Sequence, residues 1–470
     1  MKSSLESLLA ASLSDLKDLN EPVTSNTELD SPIESLSVIA AEQIEQDVLE
    51  HMKEERYSDE GTQRQIAEDY FERNEQEHAA LRGEIAHVQE AVSTVISSME
   101  MLSVLASMES IDNSTAEMAE NALGAIALQA GETAPRLEVE DGKLTTASME
   151  GLTDFIKNAF SKLKKWIKEK FENMAINARR GAVYREVMLK RIASLQARME
   201  QMPEDYGIPS KVIRYDASWT SAFSMDNKPL DFTETALKKA LDDTYKVLVY
   251  GVDKLAEDAV KRSSAVADVL AGVLVARDSI AAEEQLKGLY KELTKELPVT
   301  KAVEYGRELA GMTFIDGSMG YRSRYRDVEW IMDLVNLLEP NQLGVKYRRT
   351  GRTGGQADDL KALKAILDVV IDAVEREKTF DYAYYSELSI AWREANECYN
   401  KLWSMVVNME FAHMTNELWR ALDIACTSMF TFLDKAYYHT ETCRAPYLRL
   451  INSTTSVLEE QMKAYVAINR

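Results

Sequence analysis

The stretch Ala147–Met174, ASMEGLTDFIKNAFSKLKKWIKEKFENM, decides the fold class. Leu152, Phe155, Ile156, Ala159, Phe160, Leu163, Trp166, Ile167, Phe171 and Met174 recur at steps of three and four. On a helix of 3.6 residues per turn that spacing gathers them on one face. Lys157, Lys162, Lys164, Lys165, Lys168 and Lys170 occupy the remaining faces. The spacing predicts a basic amphipathic helix that continues towards Met199, where Pro203, Gly207 and Pro209 break it. Its apolar face has three possible destinations: the chain's own body, the groove of a partner, or an anionic membrane surface.

Upstream of this helix the chain changes character. Residues 1–150 hold 32 Asp+Glu against 9 Lys+Arg, whereas residues 151–470 hold 46 of each. The whole formal charge of −23 therefore lies before Gly151. Aromatic residues divide the same way. The first 150 residues contain Tyr57, Tyr70 and Phe71, and all six Trp lie between Trp166 and Trp419. An acidic, aromatic-poor arm buries little apolar surface per residue, which predicts an arm without a large core of its own, separable from the rest. The domain reading is thus an acidic N-terminal arm over 1–150 and a body over 151–470. Within the body, a basic amphipathic helix spans 151–199 and a helical core spans 231–470.

With 9 Pro and 19 Gly in 470 residues, long segments run uninterrupted. Ala, Leu, Glu, Lys and Met are common, and that composition predicts a mainly α fold. Its expected form is long helices building a helical body, with a small β-hairpin near 311–327, preceded by a helical and partly disordered arm. In the arm, a short amphipathic helix and a linker at 21–34 precede a long helical pattern to about residue 108, read as a coiled coil or a self-associating helical pair. Another helix follows Asn113, and 131–150 reads as flexible and exposed. In the body, 212–223 is strand-like, and Asp231 with Glu234 resembles a capping box opening a helix to about residue 260. A second helix covers 263–293. Thr313-Phe314-Ile315 before Asp316-Gly317 predicts the hairpin. A short helix at 328–338, a glycine-rich loop at 344–356 and helices at 357–378, 384–411, 414–437 and 444–467 complete the chain.

Several function classes are excluded on residue type and spacing. No run of eighteen uncharged apolar residues suggests a membrane span. Acids in and after the first short apolar run argue against a secretory signal. Cys398, Cys426 and Cys443 are odd in number and lack metal spacing, so they read as reduced core thiols of a protein made in the cytoplasm. The five His form no HExxH, and GRTGG at 351–355 lacks the Lys-Ser/Thr of a phosphate loop. No carboxylate pair sits where its pKa values would separate. The chain reads as no enzyme, with no metal, no cofactor and no small-molecule substrate. Two clusters join bases to aromatics: Tyr321, Arg322, Arg324, Tyr325 and Arg326, then Lys346, Tyr347, Arg348, Arg349 and Arg352. Arg forks grip phosphates and Tyr stacks on bases, so these are the candidates for DNA contact.

One short pattern remains. Ser-Met-Glu occurs at Ser98-Met99-Glu100, at Ser107-Met108-Glu109 and at Ser148-Met149-Glu150, and nowhere after residue 150. The last copy abuts Gly151, where the charge changes. Here the sequence resembles the internal head, or inner-body, proteins of giant ΦKZ-like tailed phages. In that group a prohead protease cuts after Ser/Ala-X-Glu and removes N-terminal propeptides during head maturation. The resemblance covers the junction and the arm-and-body layout. It implies a virion structural protein, made in the host cytoplasm and packaged inside the phage head. Its recognition residues would be Ser148, Met149 and Glu150, with Gly151 as the new N-terminus and extra cuts at Glu100 and Glu109. Its partners would be the protease, other capsid or inner-body proteins and packaged DNA. The alternative is a cytosolic helical adaptor that oligomerises through its arm and touches membrane or a partner through the basic helix.

Overall fold

The computed structural model describes residues 91–105, 110–130, 133–203, 207–210, 212–251, 257–293, 306–315, 344–348, 354–377 and 414–467, with isolated positions between them. Helices account for 73% of the described residues and the strands are short, as the composition requires of a mainly α chain. In chain order the elements begin with α1 (91–105), α2 (Asn113–Ala130), β1 (Val139–Glu140), β2 (Lys143–Leu144) and α3 (Thr146–Glu200). Then follow β3 (Ile213–Arg214), α4 (Ala217–Thr220), β4 (Ser224–Met225), β5 (Lys228–Pro229), α5 (Glu234–Tyr250), α6 (Glu257–Leu274) and α7 (Ser279–Leu293). The series closes with β6 (Glu308–Leu309), β7 (Met312–Ile315), β8 (Gly344–Tyr347), β9 (Gly354–Gly355), α8 (Leu360–Glu377) and α9 (Asn416–Ala467).

Two very long helices carry the architecture. The periodicity that predicts a helix over 151–199 produces α3, 55 residues, and α9 has 52. At 1.5 Å per residue each is about 80 Å long. They run side by side in the same direction. The Tyr184 hydroxyl donates to the Leu448 carbonyl at 3.2 Å, and Arg191 further along donates to Asn452 Oδ1 at 2.7 Å and Ser456 Oγ at 2.9 Å. Partner numbers rise together, which is the signature of a parallel pair.

Each long helix passes through two apolar cores. The first gathers Leu152, Phe155, Ile156, Phe160 and Leu163 of α3 with Trp419, Leu422, Met429 and Leu433 of α9 and Val266 and Leu270 of α6. Val92, Val95, Ile96, Met99 and Leu102 of α1, Leu123 of α2 and Leu137 complete it. The second core joins Val187, Ile192 and Leu195 of α3 to Tyr447, Ile451, Leu458 and Met462 of α9, with α5 and α8 laid across them. Residues on both sides of the charge boundary at Gly151 therefore line one core.

Where tertiary packing competes with a local signal, the packing prevails. The expected break between 437 and 444 does not occur: α9 continues through Pro446. A helical proline costs about 3 kcal/mol. The residues around it are buried, with the Tyr447 hydroxyl on the Ala373 carbonyl at 2.7 Å and Arg444 paired to Glu377. The expected helix over 263–293 is two, because Asp278 accepts from the Ala281 N–H at 2.9 Å and starts α7 afresh. The cap of α5 is Thr233 rather than Asp231, its side chain accepting from the Ala236 N–H.

Short hairpins fill the connections. Their two-residue turns, Asp141-Gly142, Asp226-Asn227 and Ala310-Gly311, all have positive φ, as type I′ turns require. The strand expected at 313–315 is β7. It pairs with β6 across Ala310-Gly311 and on its other side with β8, so part of the expected glycine-rich loop at 344–356 is strand. The Asp316-Gly317 turn lies outside the described residues, as do the expected helix at 328–338, the expected helix at 384–411 apart from helical Lys401, and nearly all of 1–90.

Candidate functional site

The junction around Glu150 is built on β1, β2 and the first turn of α3. Asp141-Gly142 turns the hairpin, and the Gly142 carbonyl accepts from the Ile111 N–H at 2.8 Å. A Cβ at 142 would lie 2.8 Å from the Ser110 hydroxyl, which can rotate away, so it is the φ of 76° that favours Gly there. Thr145 is the N-cap of α3, and its side chain accepts from the Ser148 N–H at 3.2 Å. Such a cap satisfies one of the four N–H groups that a helix start leaves over.

Ser148 is the hub. Its hydroxyl accepts from the Glu138 N–H at 2.7 Å, reaches the Glu138 carbonyl at 3.3 Å and lies 2.9 Å from the Thr145 hydroxyl. The residue is 4% exposed. Met149 packs partly into the first core, and Glu150 points to solvent. The Leu137 N–H donates to the Glu120 carboxylate, tying α2 to the same node. This corrects the reading of 131–150 as flexible and exposed. The described part, 133–150, is a hairpin and a helix start, and Ser148, Met149, Glu150 and Gly151 are helical. The physical reason is that Leu137, Val139 and Leu144 find apolar partners in the first core, which a reading of the segment alone does not supply.

The three Ser-Met-Glu copies stand in different surroundings. Ser98 and Met99 are fully buried on α1, and Glu100 is partly so. Ser107 and Glu109 lie outside the described residues, and Met108 between them is 40% exposed. Glu100 faces Asp423 of α9 across the arm–body contact. Burial first, then the Asp423 charge, push the Glu100 carboxyl up, against Arg420. Burial likewise raises Asp423, although Ser93 Oγ donates to it at 2.9 Å.

Among the DNA-contact candidates, Lys346 on β8 is exposed. Arg348 is committed to the protein: its guanidinium donates to Ser224 Oγ at 2.8 Å and pairs with buried Glu308 at 3.4 Å. Arg322, Arg324, Arg326, Arg349 and Arg352 lie outside the described residues. On the basic helix, the apolar face from Leu152 to Leu163 is covered by the first core, so the described part of that face packs within the chain.

Sequence reasoning missed the most polar part of the interior. Arg185 of α3 pairs with Glu377 of α8 at 3.1 Å, Arg444 of α9 pairs with the same carboxylate, and Glu441 stands 3.8 Å from Arg444. Burial pushes Glu377 up, but the Arg444 and Arg185 guanidiniums outweigh it and hold the carboxyl below its ordinary range. Nothing in the local sequence distinguishes these charges from solvated ones, because the three partners come from three helices. Sequence reasoning also missed Thr145 and Asp278 as caps; the signal that could find them is a Thr or Asp placed just before a helical run.

Among the described residues no group of His, Cys, Asp or Glu is arranged to hold a metal ion. No described helix is long and apolar enough to cross a membrane. Cys426 and Cys443 are buried thiols, and burial pushes that of Cys443 up. Comparison with known proteins finds no matching family model, no matching curated protein and no matching solved structure.

Proposed function

We infer that the chain is a structural protein of a tailed-phage virion, packaged inside the head and matured by a prohead protease that removes residues 1–150. It is a substrate of that protease and not itself an enzyme. The observation that carries the reading is a coincidence at one peptide bond. The third Ser-Met-Glu, the end of the −23 charge and a solvent-facing Glu150 just past the first turn of α3 all meet there. Packaged DNA repels a strongly acidic arm, and a neutral body tolerates dense DNA. One cut supplies that change. Its partners are the protease, other capsid or inner-body proteins and, through exposed bases such as Lys346, packaged DNA.

The junction sets how such a cut would proceed. A protease takes its substrate extended, so the first two turns of α3 must open and Ser148 must leave the Glu138 backbone. Helix ends open at lower free energy than helix centres, which favours this bond over one deep within α3. Mass spectrometry of the protein from its natural source tests the reading. A chain starting at Gly151 is the expected result, and a chain starting at Met1 overturns it. With Glu150→Ala the arm should remain attached, shortened only by cuts at Glu100 or Glu109. A normal Gly151 start in that mutant would sink the recognition of Ser-X-Glu.

A further inference from the structure

The first core is built from both sides of the bond that maturation would cut. Phe155, Ile156 and Phe160 of α3, Leu270 of α6 and Trp419 and Leu422 of α9 form a seam on the body. None is more than 5% exposed, and they pack in one cluster with α1 and α2. Ser93 holds α1 to Asp423 of α9, and Pro135 lies against Gly151 at the start of α3. Buried aromatic side chains account for roughly 150–250 Å² each, and monomeric surfaces rarely show apolar patches beyond a few hundred Å². A body without its arm therefore loses the cover that α1 and Leu137 give this cluster.

We propose that this seam is a self-association surface of the body, held shut by α1, α2 and Leu137 of the same chain and opened to a second copy when residues 1–150 are removed. The maturation reading supplies its trigger. Charge selects the occupant. Uncut copies carry −23 each and repel one another, whereas residues 151–470 are neutral and meet their own kind without net repulsion. The same patch on both copies gives a closed, two-fold contact. The cut also removes the tether that keeps the arm at high local concentration, and ordering so many residues is entropically costly. Glu100 and Asp423 add a penalty at neutral pH, because the arm brings one carboxylate against another in a partly buried place.

The test inserts the recognition sequence of a site-specific protease between Asp141 and Gly142 of the full chain, in the exposed turn of the β1–β2 hairpin. An unchanged melting curve of the uncut protein checks that the insertion is tolerated. After digestion, size-exclusion chromatography with light scattering reads the mass. The expected result is a 142–470 fragment at twice its chain mass, with the arm eluting apart. Excess peptide covering 91–141 should return it to single-chain mass. A fragment that stays at single-chain mass, with or without bound arm, overturns the proposal. So does a double-mass fragment that the peptide cannot reverse, which places the contact elsewhere. A fragment that loses its helical circular dichroism and aggregates also overturns it, since the arm would then be a folding element and not a cover. Because the engineered cut needs no natural protease, its failure leaves the maturation reading standing. A Met1 start in the natural protein leaves the seam standing.

Discussion

The two cores strung along α3 and α9 are held together by different physics. The second is laced with directional polar contacts. Arg191 donates to Asn452, Ser456 and Glu459, Arg185 and Arg444 converge on Glu377, and the Tyr465 hydroxyl donates to the Asp358 carbonyl at 2.6 Å. The first is a cluster of apolar side chains, and two carboxyls at the α1–α9 contact beside it, Glu100 and Asp423, repel. Directional forks fix one register between two helices, because a shift of one turn strands every charge. Apolar packing tolerates a change of partner of similar shape. The second core therefore specifies how α3 and α9 pair, and the first is the one able to exchange what covers it.

Removing Glu377 should break the second core with the largest effect. Glu377→Ala removes the carboxylate that Arg185 and Arg444 share and leaves Arg444 with Glu441 at 3.8 Å, and breaking a buried pair in this way costs about 3–5 kcal/mol. A fall of that size in urea-unfolding stability checks it, and a change within error would show the cluster to be solvated. Leu123→Ala tests the first core from the arm side. Leu123 is fully buried on α2, and a truncation of that kind costs roughly 2–4 kcal/mol where the site cannot collapse. If the first core accommodates exchange, the loss falls at the low end. Faster proteolysis should then appear within 91–137 and not in α8.

Thr145→Ala sharpens the comparison at the junction. Loss of an N-cap costs about 1 kcal/mol, confined to the first turn of α3. Cleavage after Glu150 should quicken although Ser148, Met149 and Glu150 are unchanged. A rate equal to that of the wild type would show that opening this turn does not limit the cut.

The smallest effect is one of sign. Glu100 and Asp423 have raised folded values, so their contribution is fully present below the unfolded carboxyl range and is lost as pH rises through the folded values. Glu377 has a lowered value, so its contribution is present above the unfolded range and is lost as pH falls through the folded one. Acidification from neutral should tighten the α1 contact before it weakens the second core. Hydrogen exchange of 91–105 compared with 360–377 across that range measures both, and Asp423→Asn should flatten the first response alone. Parallel responses in the two segments would contradict the assignment.

The amino-acid sequence by itself determined the mainly α class, the basic helix at 151–199, the helix after Asn113 and the helix near 357–378. Each has an apolar stripe at helical period, and that signal is local. It also marked Gly151 as the point where charge and Ser-Met-Glu coincide, which is a matter of counting. Only the tertiary structure decided that the chain before Gly151 shares a core with the chain after it. Only there does Ser148 prove buried, and only there does α9 pass through Pro446. It alone joined Thr313-Phe314 to Val345-Lys346, a pairing with no short-range turn to announce it. The reason is common to all four. Val95, Leu152 and Leu422 lie far apart in sequence, and each pattern states only that a residue must be covered. What covers it depends on how distant helices meet, and the gain from that burial outweighs a proline, a polar run or a net charge of −23.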